Sequence, residues 1–595
     1  MDPLPSDSAA AIEAQCRAQL AGNPDDLDWL GALGAALARQ GKHPESAQAF
    51  ARLTELDPGE PGWWMNLGSA LRGEGRNDEA LQSFARAASL GASGPDFQYN
   101  VALAHVARGD MQSARALLED AVAAAPEDLE IRFRLAQVCL DRQDPDAAED
   151  AIAPWQRLAQ PGDPLLGEVG HLLAMLGDVA GAERALGLAG DPAGALVRLR
   201  WVQLLERTNR VAEARAILDG LLISGESAEL GNELTYAHAQ VAQREAKHGL
   251  ACKLFRENLA RGREPKDRHF DLYPLARSLD AMQRYEEAHE ALVEAHASQL
   301  EYLTHTAPLA TLRGAPVMRI AEHSCDAADV ARWNHDGAPA TADSPVFIVA
   351  FPRSGTTLLE LALDAHPGLQ SMDEQPYLQN ALDDLRATGC SYPDGLAAMT
   401  AEQLAEVRAR YWQRVARKLR LAPGQRLVDK NPLNLLRLPL IQRLFPNAHV
   451  LVAVRHPCDV ILSNFQQHFR APEFALLCRS LPSIAAGYRK AFEFWYQQQA
   501  LLAPHSREVR YEQLVADFEP QVRDIVSFLG LPWDDAVAAP GKRATEKKFV
   551  STPSYSQVVQ PVTTKAVDRW HNYRGHFDEV LPIVAPLLAR WSYAS

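Results

Sequence analysis

Residues 346–359 read Val346-Phe-Ile-Val-Ala-Phe-Pro-Arg-Ser-Gly-Thr-Thr-Leu-Leu359, and this stretch decides the fold of the part of the chain that follows it. A short apolar run with β-branched residues ends at Pro352, as a buried strand does. Gly355 lets the backbone turn sharply, and Ser354, Thr356 and Thr357 stand at the first turn of an apolar helix that continues to about Ala365. Strand, tight loop and helix start then aim several backbone N–H groups at one anion, with the positive end of the helix dipole behind them. The competing expectation is that Gly-Thr-Thr only caps a helix. The G-x-x-x-x-G-K-[ST] spacing is missing and Arg353 is the loop's only cation, which weakens a nucleoside-triphosphatase reading.

A second strand-to-helix unit follows. Ala448-His-Val-Leu-Val-Ala-Val454 leads into Arg455-His-Pro and a helix carrying Ser463. A guanidinium at a strand end suits bidentate contact with a phosphate, and the hydroxyl adds a donor. A third unit, Val509-Arg-Tyr-Glu-Gln-Leu-Val515, precedes a helical pattern that Gly530 and Pro532 stop. Taken in this order, the three units resemble sulfotransferases that use 3′-phosphoadenosine 5′-phosphosulfate (PAPS). The resemblance implies a three-layer, P-loop-like α/β domain with a mostly parallel sheet over residues 345–595. It places the 5′-phosphosulfate on Arg353, Ser354, Gly355, Thr356 and Thr357, and the 3′-phosphate on Arg455 and Ser463. Ser554-Tyr-Ser-Gln-Val-Val-Gln-Pro-Val562 and Lys565 through Trp570 resemble the final cofactor-covering loop of tyrosylprotein sulfotransferases. That makes Tyr511, Ser554 and Arg569 candidate nucleotide contacts, with Arg569 standing where that family has Lys. Gln467 departs from the pattern, since those enzymes place an additional Arg on the Ser463 helix.

Sulfuryl transfer needs a base for the acceptor hydroxyl and a positive group where charge grows on the leaving oxygen. Glu374, in Ser371-Met-Asp-Glu-Gln-Pro376, falls at the position of the family's catalytic base. Asp373 is its immediate rival, because neighbours on an extended segment face opposite ways. His456 and His468 are further candidates, whereas His366, at the end of a helix, reads as structural. Lys430, in Leu427-Val-Asp-Lys-Asn-Pro432, falls where the family has a catalytic Lys, and Arg353 shares the task of charge stabilisation. No His or Cys pattern has metal-ligand spacing, so no metal is expected.

The front of the chain carries a different signal. Gly41, Gly75, Gly109, Gln143 and Gly177 are spaced 34 residues apart, and Ser46, Ala80, Ala114, Ala148 and Ala182 follow each of them by five. Small residues there let two helices pack closely, and Phe50, Phe84 and Leu118 fill the next contact position. This is a tetratricopeptide pattern. Less regular copies occur around Asn209 with Ala214 and Tyr285 with Ala288, with an ill-defined unit between about 231 and 263. The expectation is an all-α superhelix of about eight helix pairs over 1–298, a linker over 299–344 and the α/β domain beyond. An array of this kind commonly holds a peptide, and joined to a domain that resembles tyrosylprotein sulfotransferases it favours a protein or peptide tyrosine as acceptor over a carbohydrate or small-molecule hydroxyl. A dimerisation or spacing role, and so a homodimer, is the competing expectation. An inactive sulfotransferase-like scaffold and a phosphotransferase are the alternatives from other classes.

Composition bounds the rest. At 595 residues the chain exceeds one core, and a net charge of −16 argues against broad binding to nucleic acid or anionic membranes. The start lacks a basic and apolar leader and no run approaches a membrane span, so a cytoplasmic location is the default. Seven scattered cysteines suggest no disulfide framework.

Overall fold

Five strands, β1 (Val346–Ala350), β2 (Leu369–Ser371), β3 (Arg426–Lys430), β4 (His449–Val454) and β5 (His505–Arg510), form one sheet in the order β2-β3-β1-β4-β5. All four pairings are parallel in this computed structural model, with Ile348 facing Lys430 on one side and Leu451 on the other. The structure describes residues 6–142, 144–190, 194–224, 227–306, 316–387, 389–541 and 563–594.

β1 is buried at every residue because it is central and covered on both faces. Phe347 and Val349 point into one core with Tyr411, Tyr488 and Trp495, while Val346 and Ile348 point into another with Leu359, Leu363, Val522 and Ile525. The helices Thr356–Asp364 and Phe518–Phe528 supply the second core, and Ala401–Lys418 and Leu481–Leu502 the first. The domain is therefore a three-layer α/β fold. Sheets of this kind place ligands outside the carboxyl ends of the strands. β4 and β3 flank β1, so the carboxyl ends of all three converge, with Arg353 and Arg455 on the loops that follow β1 and β4 and Lys430 at the end of β3.

Ahead of the sheet lie helices in antiparallel pairs. From Leu27–Arg39 with His43–Leu56 to His269–Ala281 with Tyr285–Thr306, eight such pairs occur among the described residues. Gly41, Gly75, Gly109 and Gly177 all have positive φ, between 71° and 88°, which closes each turn between paired helices. Gln143 lies outside the described residues. Ser46, Ala80, Ala114, Ala148 and Ala182 are completely buried. A Cβ on Gly34 or Gly68 would meet the rings of Phe50 and Phe84 at 2.8 Å, so the aromatic filler and the small residue specify each other. The later turns keep the device without glycine. Asn209, Ala246 and Gln283 are left-handed, with φ of 63°, 58° and 60°, and Ala214, Ala251 and Ala288 five residues on are again fully buried.

The chain divides into two compact units, Met1–Leu204 with Leu303–Leu309 and Leu205–Tyr302 with Ala310–Ser595. The last repeat helices thus belong to the same unit as the sheet. His296 Nε2 lies 2.8 Å from the carbonyl of Phe465, and Gln299 Nε2 donates to the carbonyl of Phe469 at 2.7 Å. All seven cysteines are free thiols. Among the described residues no helix is long and apolar enough to cross a membrane, and no cluster of His, Cys, Asp or Glu could hold a metal ion.

Candidate active site

The loop after β1 is built around two left-handed residues, Arg353 at φ 72° and Gly355 at φ 90°. Gly355 is required there on two grounds. Its φ disfavours a side chain, and an added Cβ would come within 2.3 Å of the Tyr511 ring. Asn464 Nδ2 donates to the carbonyl of Pro352 at 2.9 Å, fixing the loop to the helix Pro457–Phe465. Thr356 and Thr357 open the helix that follows and line a cavity of about 1240 Å³ together with Arg353, Gly355, Glu374 and Arg455. Ser354 faces the other way, its Oγ donating to the carbonyl of Phe351 at 2.7 Å.

Arg353 reaches across to the helix Pro457–Phe465, where its Nε donates to Ser463 Oγ at 3.0 Å. Burial lowers its pKa to about 10, and the positive charges of Arg455 and Arg277 add to that effect against the attraction of Glu374. Two guanidinium groups facing one space make that space attractive to an anion. Arg455 stands over the Tyr511 ring at 4.7 Å and donates to the carbonyls of Arg353, at 3.3 Å, and of Ala566. Its Nε is buried with no hydrogen-bond partner among the described residues. Asp459, one turn along the helix, accepts the backbone N–H groups of Asp568 and Trp570 at 2.8 and 3.0 Å, and so holds the C-terminal segment against Arg455.

Lys430 ends β3 with its side chain fully buried, between Glu360 Oε2 at 3.0 Å and Glu374 Oε1 at 2.7 Å. Burial by itself lowers the pKa of such an ammonium, but the two carboxylates outweigh it and hold the group above its ordinary value. Glu360 is locked in turn by the Ser371 hydroxyl. Glu374 is 39% exposed and opens into the cavity. Asp373, expected to alternate with it on an extended segment, instead takes a left-handed turn at φ 61° and does not line the cavity.

The histidines fall into place by their partners. His366 is buried, Nε2 lying 2.8 Å from the Pro532 carbonyl and Nδ1 accepting from Gly368 N–H. His456 stacks on Trp570 and is tied to the carbonyl of Ala594. His468 does line the cavity, but it stacks on Tyr273, and burial, with neighbouring positive groups, pushes its pKa down to about 3, which makes it a poor base.

Arg569 lines the cavity with its guanidinium engaged, Nη2 lying 2.5 Å from Asp280 on a repeat helix. The same carboxylate accepts Tyr573 Oη at 2.7 Å and Gln466 Nε2 at 3.2 Å. Ser554 lies outside the described residues. Glu360, Asp280 and Asp459 were not singled out in the sequence. Glu360 had a signal, a lone carboxylate in an apolar helix, whereas the other two depend on contacts between distant segments.

Family models match both parts of the chain. The Sulfotransferase family model matches residues 345–535, and tetratricopeptide repeat models match 5–61, 32–96 and 105–166. Protein-tyrosine sulfotransferase 2 of Gallus gallus is 31% identical over 271 residues, which are 42% of this chain and 69% of that protein. An uncharacterized protein of Aquifex aeolicus is 30% identical over 251 residues, 40% of this chain and only about a third, 32%, of its own length. The sulfotransferase domain of the Synechococcus PCC 7002 olefin synthase is 26% identical, covering 44% of this chain and 99% of that domain at a TM-score of 0.31. The chain belongs to the sulfotransferase family and carries tetratricopeptide repeats ahead of the sulfotransferase region.

Proposed function

We propose that the chain transfers a sulfuryl group from PAPS to an acceptor hydroxyl, and that the acceptor is a tyrosine of a protein or peptide. The observation that carries the reading is the buried Lys430 ammonium set 2.7 Å from Glu374, beside the two arginine-bearing loops. A metal-free phosphoryl-like transfer of this kind rests on positioning and charge neutralisation, and those are the groups present.

The residues fit the donor. The orphaned Nε of Arg455 calls for an acceptor atom, and the Gly355 loop and the Thr356 helix start offer backbone donors to a second anionic group. Bound there, PAPS supplies the activated sulfuryl group and a phosphate leaving group. Arg455, with Ser463 nearby through Arg353, holds the 3′-phosphate. Arg353 and the loop N–H groups hold the 5′ end, and Tyr511 packs between the two arginine-bearing loops. Lys430 neutralises charge on the departing oxygen. Glu374, open to the cavity, accepts the proton of the acceptor hydroxyl, a role that contributes roughly 10²–10⁴ in rate.

The protein acceptor is supported by the tetratricopeptide repeats and by relatives named protein-tyrosine sulfotransferases. Incubating the full chain with sulfur-labelled PAPS and a mixture of tyrosine peptides, oligosaccharides and simple phenols tests it. Label on peptide tyrosine is expected. Label confined to the sugars or phenols moves the acceptor, and binding of nucleotide with no transfer to any of them favours a scaffold.

A further inference from the structure

One buried ammonium is shared by two carboxylates whose surroundings differ. Lys430 Nζ lies 3.0 Å from Glu360 Oε2 and 2.7 Å from Glu374 Oε1; Lys430 and Glu360 are buried, whereas Glu374 is 39% exposed. Of the three, only Glu374 lines the cavity. The sequence builds this asymmetry. Glu360 stands one turn beyond Thr356 on the helix Thr356–Asp364, which is buried at every residue. The Ser371 hydroxyl at the end of β2 donates to it, and Asp364, a further turn along, accepts the Ser371 N–H at 2.6 Å. Glu374 sits on the turn beyond β2, which Asn431 Nδ2 ties to the end of β3 by donating to the Gln375 carbonyl at 3.2 Å.

A one-to-one ion pair would serve proton transfer badly. An ammonium with a single carboxylate partner favours that partner's charged form and so weakens it as a base. Once the base had taken a proton, the ammonium would be enclosed without an anion, a costly state. A second carboxylate removes both difficulties. Glu360 opposes the pull of Lys430 on Glu374, and it remains as counterion when Glu374 becomes neutral. One partner is walled in and permanent, and the other faces the cavity and can change its charge.

We propose that Glu360 is a positioning residue for sulfuryl transfer, the fixed counterion that holds Lys430 while Glu374 exchanges its contact with the ammonium for the proton of the acceptor. The proposal rests on the sulfotransfer reading above. In the step, the acceptor oxygen bonds to sulfur, the bond from sulfur to the bridging phosphate oxygen breaks with its electron pair on that oxygen, and the acceptor proton passes to Glu374. Lys430, parted from Glu374 and still neutralised from behind by Glu360, is then available to the oxygen that has gained charge.

The other charged groups about this pair are Asp364, Asp373, Arg353, which feels the charge of Glu374, and Asp429, which precedes Lys430 on β3 and accepts from the Tyr411 hydroxyl.

Glu360→Gln keeps the size of the side chain and removes its charge, so it tests the proposal. Calorimetric titration with 3′-phosphoadenosine 5′-phosphate should show nucleotide affinity unchanged or tighter, because a negative charge has left the site, and this also reports a folded variant. Transfer from PAPS to a tyrosine peptide, and the slower hydrolysis of PAPS with water as acceptor, should both fall by roughly tenfold or more, a part of what a general base contributes. The acid limb of kcat against pH should move to lower pH by about one unit. Glu360→Asp, which keeps the charge, should leave the limb in place and recover part of the rate, and Asp429→Asn should not move it. An unmoved limb in Glu360→Gln, identical behaviour of the Gln and Asp variants, or a limb that follows Asp429→Asn overturns the proposal and leaves the sulfotransfer reading standing. Loss of nucleotide affinity by about tenfold or more in both Glu360 variants overturns it too, by making Glu360 a residue of the fold alone. A wild type that transfers to neither peptide nor water removes the reading beneath the proposal, and the proposal with it.

Discussion

Lys430 Nζ meets Glu374 Oε1 at 2.7 Å, and this contact joins the carboxyl end of β3 to the turn after β2. The two partners differ in a way that separates chemistry from stability. Lys430 is fully buried with Glu360 behind it, whereas Glu374 is 39% exposed. Lys430→Ala removes the cation that faces the buried Glu360 carboxylate at 3.0 Å, so it should abolish transfer and also cost about 3–5 kcal/mol of stability. Glu374→Gln should slow turnover by roughly 10²–10⁴ with little change in melting temperature. Thermal melts and kcat on the two variants check this; equal stability losses would contradict the assigned roles.

Gly355→Ala should cut nucleotide affinity without unfolding the domain. The new methyl meets the Tyr511 ring and the backbone there is left-handed, so the loop must move by a cost of about 1–3 kcal/mol. Adding Tyr511→Ala relieves the clash and leaves the backbone strain. Titration of both variants should therefore show partial recovery in the double variant, and full recovery would mean the φ value is unimportant.

Truncation should be tolerated at one boundary and not at another. Removing residues 1–204 leaves the compact unit that contains the sheet intact. Removing 1–298 also deletes Asp280, which holds Arg569 and Tyr573, and His296, which contacts the Phe465 carbonyl. The shorter deletion should yield a soluble, cooperatively melting protein that binds nucleotide, and the longer one an aggregating protein. Circular dichroism and analytical gel filtration decide it; a well-folded 299–595 fragment would contradict the contacts' importance.

The strand-loop-helix at 346–364 was legible because local rules agree there: an apolar β-branched run, a glycine where positive φ is needed, and an apolar helix after it. The early repeats were legible because Gly41, Gly75 and Gly109 mark turns that glycine adopts at no steric cost. The repeat turn at Ala246, within the segment left ill-defined, and the exact turn position at Gln283 were obscured. There a non-glycine residue takes the left-handed conformation, and the only surviving local mark is the buried alanine five residues on. At the site, Arg353, Glu374, Lys430 and Arg455 could be picked out by motif. Arg277 and Asp280 could not, because their meaning comes from a helix face that lines a cavity shared with segments more than sixty residues later in the chain. Arg569 was read as a nucleotide contact, and its engagement by Asp280 is visible only in three dimensions.

Stability should fall with pH at one buried carboxyl. Desolvation pushes Asp429 up to about 7, although the Tyr411 hydroxyl donating at 2.7 Å and the charge of Arg437 pull the other way. In the unfolded chain the same group ionises near 4. Between about pH 4 and 7 the native state keeps a proton that the unfolded state has lost, so folding is progressively penalised as pH rises through that window and the penalty persists above it. Asp429→Asn removes this titration. The melting temperature of the wild type should therefore drop relative to the variant between pH 5 and pH 8, and a constant difference over that range would show that Asp429 ionises normally.

The central claim is a nucleotide site specific for a 3′-phosphate, and calorimetric titration with 3′-phosphoadenosine 5′-phosphate against ADP and ATP tests it most directly. The account predicts selective binding of the 3′-phosphorylated nucleotide, weakened at least tenfold by Arg455→Ala, whose charged contact is worth roughly 1.5–3 kcal/mol. No binding to the folded protein, a preference for ATP, or an affinity indifferent to Arg455→Ala would contradict it.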